Sequence, residues 1–243
     1  MLQISIILPA YNEKLNLKAL IPNIGKILSN YNFEIIVIDD ASSDGTGQAL
    51  ADFNIIFKHN EKREGLGKSI KRGIEMAKGE FIFVMDSDGD HNPLNLTQML
   101  EGLKCNDMVI NSRFKKRSLE DSRLRRRLSK GFNYFVRIMT KGSLTDYLYG
   151  YWCAKKSALE KINFDEIFWG YGDYSIRLLF YLEKLNLKIL EIPSIPGNRR
   201  FGSGNLRFLK TFSQYTFSVI LLTLKERIFC VSKDKTLSNL QRS

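Results

Sequence analysis

Glu80-Phe81-Ile82-Phe83-Val84-Met85-Asp86-Ser87-Asp88-Gly89-Asp90 sets a strand-like apolar run directly against three carboxylates. A short continuous apolar run reads as a strand buried on both faces, as in the middle of a parallel sheet. The same design recurs upstream. Ile4–Leu8 (ISIIL) runs into Pro9-Ala10-Tyr11-Asn12-Glu13, and Glu34–Ile38 (EIIVI) runs into Asp39-Asp40.

Helical patterns separate these strands. Leu17, Leu20, Ile21, Ile24, Ile27 and Leu28 recur at helical spacing. Ser42–Asp52, Leu66–Ala77 and Pro93–Leu103 read as further helices, with strands at Asn54–Lys58 and Asp107–Asn111. Strand–helix alternation with short loops predicts an α/β fold, a mostly parallel central sheet with helices on both faces. Beyond residue 113 the pattern is less regular. Ser122–Thr140 reads as a basic helix, Tyr147–Trp152 as extended and Tyr174–Lys184 as a helix. Leu187–Ile192 reads as a strand, Pro193–Asn205 as a loop and Leu206–Leu224 as an amphipathic helix before a polar tail. We expect residues 1–205 to form the main domain, with 1–112 and 113–205 as its two halves. Residues 206–243 would add the amphipathic helix and tail.

The 243 residues are 44% hydrophobic and 26% charged, too apolar for a disordered chain. Three scattered cysteines and two histidines exclude a disulfide scaffold and make a nitrogen/sulfur metal site a poor fit. No segment has the 18–20 consecutive apolar residues of a membrane span, and the N-terminus enters a strand without a signal-peptide pattern. The charge is split. Residues 1–120 carry 15 Lys+Arg against 16 Asp+Glu, whereas residues 121–243 carry 22 against 10. A basic second half fits nucleic acid, an anionic membrane surface or a phosphorylated substrate. No recognition helix, zinc finger or RNP-type strand accompanies it, so nucleic acid is not the expected partner.

Ligands of open α/β sheets bind beyond the carboxyl ends of the strands, where the acidic clusters lie. Asp86, Asp88 and Asp90 alternate within five residues, a hard-oxygen set suited to Mg²⁺ or Mn²⁺. Alone, such a triplet reads as a solvated Asp/Gly turn. Three acidic or polar strand ends on one sheet favour the ion.

In combination, ISIILPAYNE, EIIVIDDASSDGT, GLGKSIKRGIEMAKGEFIFVMDSDGDHNP and NSRF with the downstream RLRRRLSKGFN resemble the family-two inverting glycosyltransferases of GT-A fold. Within that family they are most similar to the dolichol- and polyprenyl-phosphate mannosyl- and glucosyltransferases. The likeness is dense over residues 1–135 and thinner to about residue 215. It implies a nucleotide-sugar pocket of Pro9, Ala10, Tyr11, Glu13, Asp39 and Asp40, with Asp44 in the same acidic segment. Lys68 would approach the diphosphate. Asp86 and Asp88, with the intervening Ser87, would hold donor and metal, and Asp90 would be a further ligand. Arg113, Arg125 and Ser129 match the loop that meets the acceptor phosphate. Several have plainer readings: Lys68 as an exposed helix charge, Asp44 as a helix-start charge, Pro9 as a strand end and Tyr11 as packing.

The resemblance thins at two places. The family's DPxSG-like segment reads Thr145-Asp146-Tyr147-Leu148-Tyr149-Gly150. Its later R-x-R-x-G-x-S-K pattern reads Arg199-Arg200-Phe201-Gly202-Ser203-Gly204-Asn205, without the Lys. Arg199 would meet the acceptor phosphate and Arg200 the donor. In addition, Gly170-Tyr171-Gly172-Asp173 resembles the segment that supplies a general base in glycan-building relatives. A sugar hydroxyl must lose a proton as it attacks, whereas a phosphate is already an anion. Asp173 therefore reads either as a base or as the N-cap of the following helix.

The expectation is a metal-dependent inverting hexosyltransferase that moves sugar from GDP- or UDP-hexose to a polyprenyl phosphate. Asp88, Arg113 and Arg125 would carry the chemistry, peripherally at the cytoplasmic face of a membrane. The alternative is transfer to a glycan hydroxyl with Asp173 as base. Leu206–Leu224 reads equally as an interfacial helix and as an ordinary packed one.

Overall fold

The computed structural model describes residues 3–115, 123–197 and 211–225, apart from the side chains of Arg123 and Arg125. Its seven-stranded sheet has the order β3-β2-β1-β4-β6-β5-β7. The strands are β1 (Ile4–Ala10), β2 (Phe33–Asp39), β3 (Ile56–His59), β4 (Phe81–Val84), β5 (Met108–Ser112), β6 (Trp152–Lys155) and β7 (Ile189–Pro193). β1 pairs in parallel with β2 and β4, β2 with β3, and β5 with β7; β6 alone runs antiparallel, between β4 and β5. This is the mostly parallel α/β sheet that the sequence predicts. β6 begins only where the expected extended stretch Tyr147–Trp152 ends.

β1 is buried along its whole length, and its alternating side chains sort into two cores. Ile7 joins Ile36, Ile38, Ile82 and Val84 on one face, under α3 (Leu66–Met76) and α8 (Tyr174–Lys184). Ile6 and Leu8 join Val37 and Phe83 on the other, under α1 (Lys14–Ile27) and α4 (Asn95–Gly102). The period of two that makes an apolar run read as a doubly covered strand is the period that divides these cores.

The expected helix Ser42–Asp52 shortens to α2 (Thr46–Ala49), because the residues before it are bound to the neighbouring loop, as described below. α5 (Arg123–Thr140) is the basic helix. Two short helices, α6 (Lys156–Leu159) and α7 (Phe164–Ile167), were not anticipated. In the segment 211–225, also helical, Ser218, Val219 and Leu222 are buried. Phe212 packs on Phe132 of α5 with ring centroids 5.2 Å apart.

The chain moves outward from β1 to β2 and β3, then returns to place β4 on the other side of β1. The crevice between the carboxyl ends of β1 and β4 is therefore the switch point of the sheet, where such folds bind ligands.

Candidate active site

At the β1–β2 side, the loops are fastened to one another before any ligand arrives. Asn12 N donates to Ser42 Oγ at 2.8 Å and Ser43 N donates to Asn12 Oδ1 at 2.9 Å. Asp44 accepts from Lys14 N at 3.1 Å and Thr46 N at 3.0 Å. Partial burial pushes its carboxyl up, but the bonds from Thr46 and Lys14 together hold it below the usual carboxylate range. Asp39, buried, accepts from Ser42 Oγ and contacts His59 Nδ1 at 2.7 Å. Asp40 accepts from Glu64 N (2.8 Å), Gly65 N (2.9 Å) and Asn60 Nδ2 (3.1 Å). Its carboxylate thus shapes the loop that opens α3. Tyr11 lies at the mouth with the Arg63 guanidinium 3.7 Å above its ring. Glu13 accepts from Asn16 Nδ2 at the start of α1, and Lys68 is exposed on the first turn of α3. Pro9 and Ala10 close β1, opposite Ile38 and Asp39.

At β4 the acidic loop sits on a buried aromatic bed. Ser87 Oγ donates to Pro9 O at 2.8 Å, joining the two strands that flank the crevice. Asp88 Oδ1 accepts from Asp90 N at 3.0 Å. The sequence reading missed His91. Its ring stacks on Tyr151 (4.7 Å) and meets Tyr149 edge-on (4.6 Å), and its Nδ1 accepts from Asp86 N at 2.8 Å. Burial lowers the imidazole to about 4, although Asp88 and Asp90 pull it upward, so it is neutral near pH 7. The only local signal was its position beside Asp90; the tyrosines lie far along the chain. The segment after β7 straps this loop from outside. Gly197 N donates to Asp90 O at 3.1 Å, and a Cβ at Gly197 would fall 2.1 Å from Gly89 O.

Among the described residues, no group of three or more His, Cys, Asp or Glu side chains is gathered to enclose a metal ion. Asp86 and Asp88 are half-buried and Asp90 is exposed, and their carboxylate oxygens are hard donors of the kind Mg²⁺ takes.

On the opposite lip, Arg113 follows β5. Its Nε and Nη2 donate to the two carboxylate oxygens of buried Asp146 at 2.9 and 2.8 Å. The guanidinium also lies 5.3 Å from the Tyr149 ring, so this pair borders the bed under the acidic loop. Ser129 Oγ is buried on α5 without a hydrogen-bond partner among the described residues. Arg125 falls on α5 with its side chain outside the described residues, as are Arg199 and Arg200.

Asp173 is buried and accepts from Arg177 Nη1, Ser218 Oγ (2.7 Å) and Tyr171 N (3.0 Å). It stands at the N-cap position of α8, where its side chain turns to these partners rather than to the helix N–H groups. Arg177 is held in turn by Ile167 O at 2.9 Å and stacks 3.7 Å over Trp169. The group ties α8 to the segment 211–225. It also shapes the backbone at Trp169 that Gly67 touches, where a Cβ would come within 2.7 Å.

The profile of the family described as glycosyl transferase family 2 matches residues 5–163. A dolichol-phosphate mannosyltransferase of Pyrococcus furiosus is 28% identical over 223 residues, covering 88% of this chain. The chain spans only 62% of that relative's length. An undecaprenyl-phosphate mannosyltransferase of Micrococcus luteus is 30% identical, with 82% of this chain and 86% of the relative covered. Among solved structures, a glucosyl-3-phosphoglycerate synthase from Mycobacterium tuberculosis in complex with Mn²⁺, UDP-glucose and phosphoglyceric acid superposes with a TM-score of 0.73 at 19% identity. That alignment covers 91% of this chain and 79% of the other. The likeness establishes the GT-A fold.

Proposed function

Because the chain belongs to glycosyl transferase family 2, we propose that it transfers a hexose from GDP- or UDP-hexose to a polyprenyl phosphate, with inversion at the anomeric carbon. The observation that carries this choice of acceptor is the engagement of Asp173. A hydroxyl acceptor needs a base within reach of its proton, and the carboxylate that would serve is buried in an ion pair with Arg177. A phosphate acceptor needs none. Its oxygen attacks the anomeric carbon, the bond from that carbon to the donor diphosphate breaks, and the nucleoside diphosphate leaves with the electron pair. No proton moves.

The residues have corresponding tasks. The loops fastened by Asn12, Ser42 and Asp44 carry Pro9, Ala10, Tyr11, Glu13 and Asp39 to the nucleotide, and Asp40 sets the approach of α3 and Lys68. Arg113, with Arg125, Ser129 and Arg199, orients the acceptor phosphate, while Arg200 meets the donor. Asp86 and Asp88, with Asp90, would hold Mg²⁺ or Mn²⁺, whose charge neutralises the diphosphate; the chemistry of that donor set fits such an ion. The named relatives act on polyprenyl-type phosphates, which supports the acceptor class.

The proposal places the catalytic unit in residues 1–205, peripherally at the cytoplasmic face of a membrane. No helix among the described residues is long and apolar enough to cross one. Leu124, Leu128 and Ile138 of α5 and Phe217, Ile220 and Leu224 of the segment 211–225 are exposed. Arg127, Lys130 and Lys225 beside them are exposed cations. Apolar faces rimmed by Lys and Arg suit an anionic interface.

The deciding test is turnover with Mn²⁺ or Mg²⁺, a panel of GDP- and UDP-hexoses, and short-chain polyprenyl phosphate present or absent. Sugar recovered on the lipid is the expected result. Donor hydrolysis that the lipid leaves unstimulated would move the assignment to a hydroxyl acceptor.

A further inference from the structure

The orientation of Arg113 is set by a residue 33 positions further along the chain. Asp146 is completely buried, and Arg113 gives it three bonds: Nε to one oxygen at 2.9 Å, Nη2 to the other at 2.8 Å, and its own backbone N at 3.1 Å. A two-pronged bond of this kind fixes the plane of the guanidinium as well as its position, which a single contact cannot do.

The carboxylate is itself immobilised. Leu148 N donates to it at 3.2 Å and Asn133 Nδ2 at 3.4 Å. The backbone beneath is held by Glu191 of β7, whose Oε1 accepts from Thr145 N (2.8 Å), Thr145 Oγ1 (2.9 Å) and Asp146 N (3.2 Å). Thr145 Oγ1 also meets Ser112 Oγ, the residue before Arg113, at 2.9 Å. β7 and β5 are paired neighbours, with Glu191 opposite Ile110. A closed circuit therefore runs from β7 through residues 145–146 to the guanidinium and back into β5. The Arg113 side chain is 22% exposed, beside the Tyr149 ring that borders the acidic loop.

We propose that Asp146 is a positioning residue for the transfer, locking the Arg113 guanidinium plane toward the acceptor phosphate before substrate binds. The inference rests on the reading that Arg113 meets that phosphate. An unrestrained arginine loses rotamer freedom when it is ordered on a ligand. Here the ordering is completed during folding, and the bound phosphate meets a cation already aligned.

The test uses the full chain and the variants Asp146→Asn, Arg113→Ala and their combination. Asp146→Asn should lower kcat/KM for short-chain polyprenyl phosphate about 100-fold, the scale of a misaligned contact. Ethylguanidinium should restore activity to Arg113→Ala, and that rescue should vanish in the double variant. Folded Asp146→Asn within about threefold of wild type, or equal rescue in both backgrounds, would overturn the proposal.

A second readout needs neither turnover nor the variant's folding. In the wild-type chain, the ¹⁵N Arg113 Nε–H resonance should be protected from exchange and should shift when inorganic phosphate is titrated in. A signal exchanging like that of a free arginine would overturn the proposal even if Asp146→Asn fails to fold. Failure of the wild-type chain to glycosylate the lipid would instead reject the proposed function, while this resonance still decides the role of Asp146.

Discussion

Two buried aspartate–arginine pairs do different work in this fold. Asp146 and Asp173 are alike in burial, with side chains 0% and 5% exposed. Their partners are not. Arg113 is 22% exposed beside the Tyr149 ring, whereas Arg177 is 2% exposed between α8 and the segment 211–225. Burying both ions of a pair is expensive and rarely a net gain in stability, while leaving one alone is worse. The Arg177 pair therefore acts as a fastener whose removal damages the fold. The Arg113 pair keeps its cation partly exposed beside the Tyr149 ring and the acidic loop, where charge is useful. The lesson is that a carboxylate's chemistry follows from where its partner ends, not from its own burial.

The largest expected effect comes from breaking the fastener. Arg177→Met strands Asp173 without its cation and should cost about 3–5 kcal/mol of stability, read by urea unfolding. Asp173→Asn strands Arg177 and should cost a comparable amount, yet molecules that remain folded should keep turnover near the wild-type value. Near-total loss of turnover with donor binding intact would restore Asp173 as a general base and collapse the contrast between the pairs.

Acid separates the Arg113 region from the fastener in another way. His91, which borders Arg113 through Tyr149, is held neutral with a pKa of about 4 against an ordinary 6.5. The unfolded chain binds that proton first, so stability is present above pH 6.5 and is lost as pH falls toward 4. The loss should approach about 3 kcal/mol in metal-free protein. His91→Gln should flatten this stretch of the stability–pH curve, and an unchanged curve would rule His91 out as its source.

The smallest change sharpens the comparison further. Ser218→Ala removes the hydroxyl that donates to Asp173 and accepts from Arg177 but leaves the ion pair, so it should cost about 1–2 kcal/mol in urea unfolding. Lipid-dependent turnover should be unaffected, because Ser218 touches only the fastener. A turnover loss at full stability would mean that the segment 211–225 reaches the site through that contact.

Legibility in the sequence divides along the same line. The strand runs Ile4–Leu8, Glu34–Ile38 and Glu80–Met85 were readable because burial on both faces leaves a local, continuous apolar signature. Asp39, Asp40 and Asp86 could be placed beside the crevice because each directly ends such a run. The Asp173–Arg177 pair was half legible: four residues is helical contact distance, but nothing local shows that Ser218 and Trp169 O complete its shell. Asp146 was visible only as a remnant of a family segment, and its partner could not be read across 33 intervening positions. α2 came out shorter than the pattern Ser42–Asp52 because Ser42 and Ser43 are bonded to Asn12, a contact absent from any local window.

By itself, the sequence determined the parallel sheet and the strand ends that face its crevice, because periodicity and strand-end chemistry are properties of contiguous residues, and its quoted motifs carried the resemblance to the family. Tertiary structure alone decided which aspartate holds an arginine at the crevice and which is sealed away with one. That choice depends on how β5, β7, α8 and the segment 211–225 pack, and burial and partnership across such distances exist only once the chain has folded.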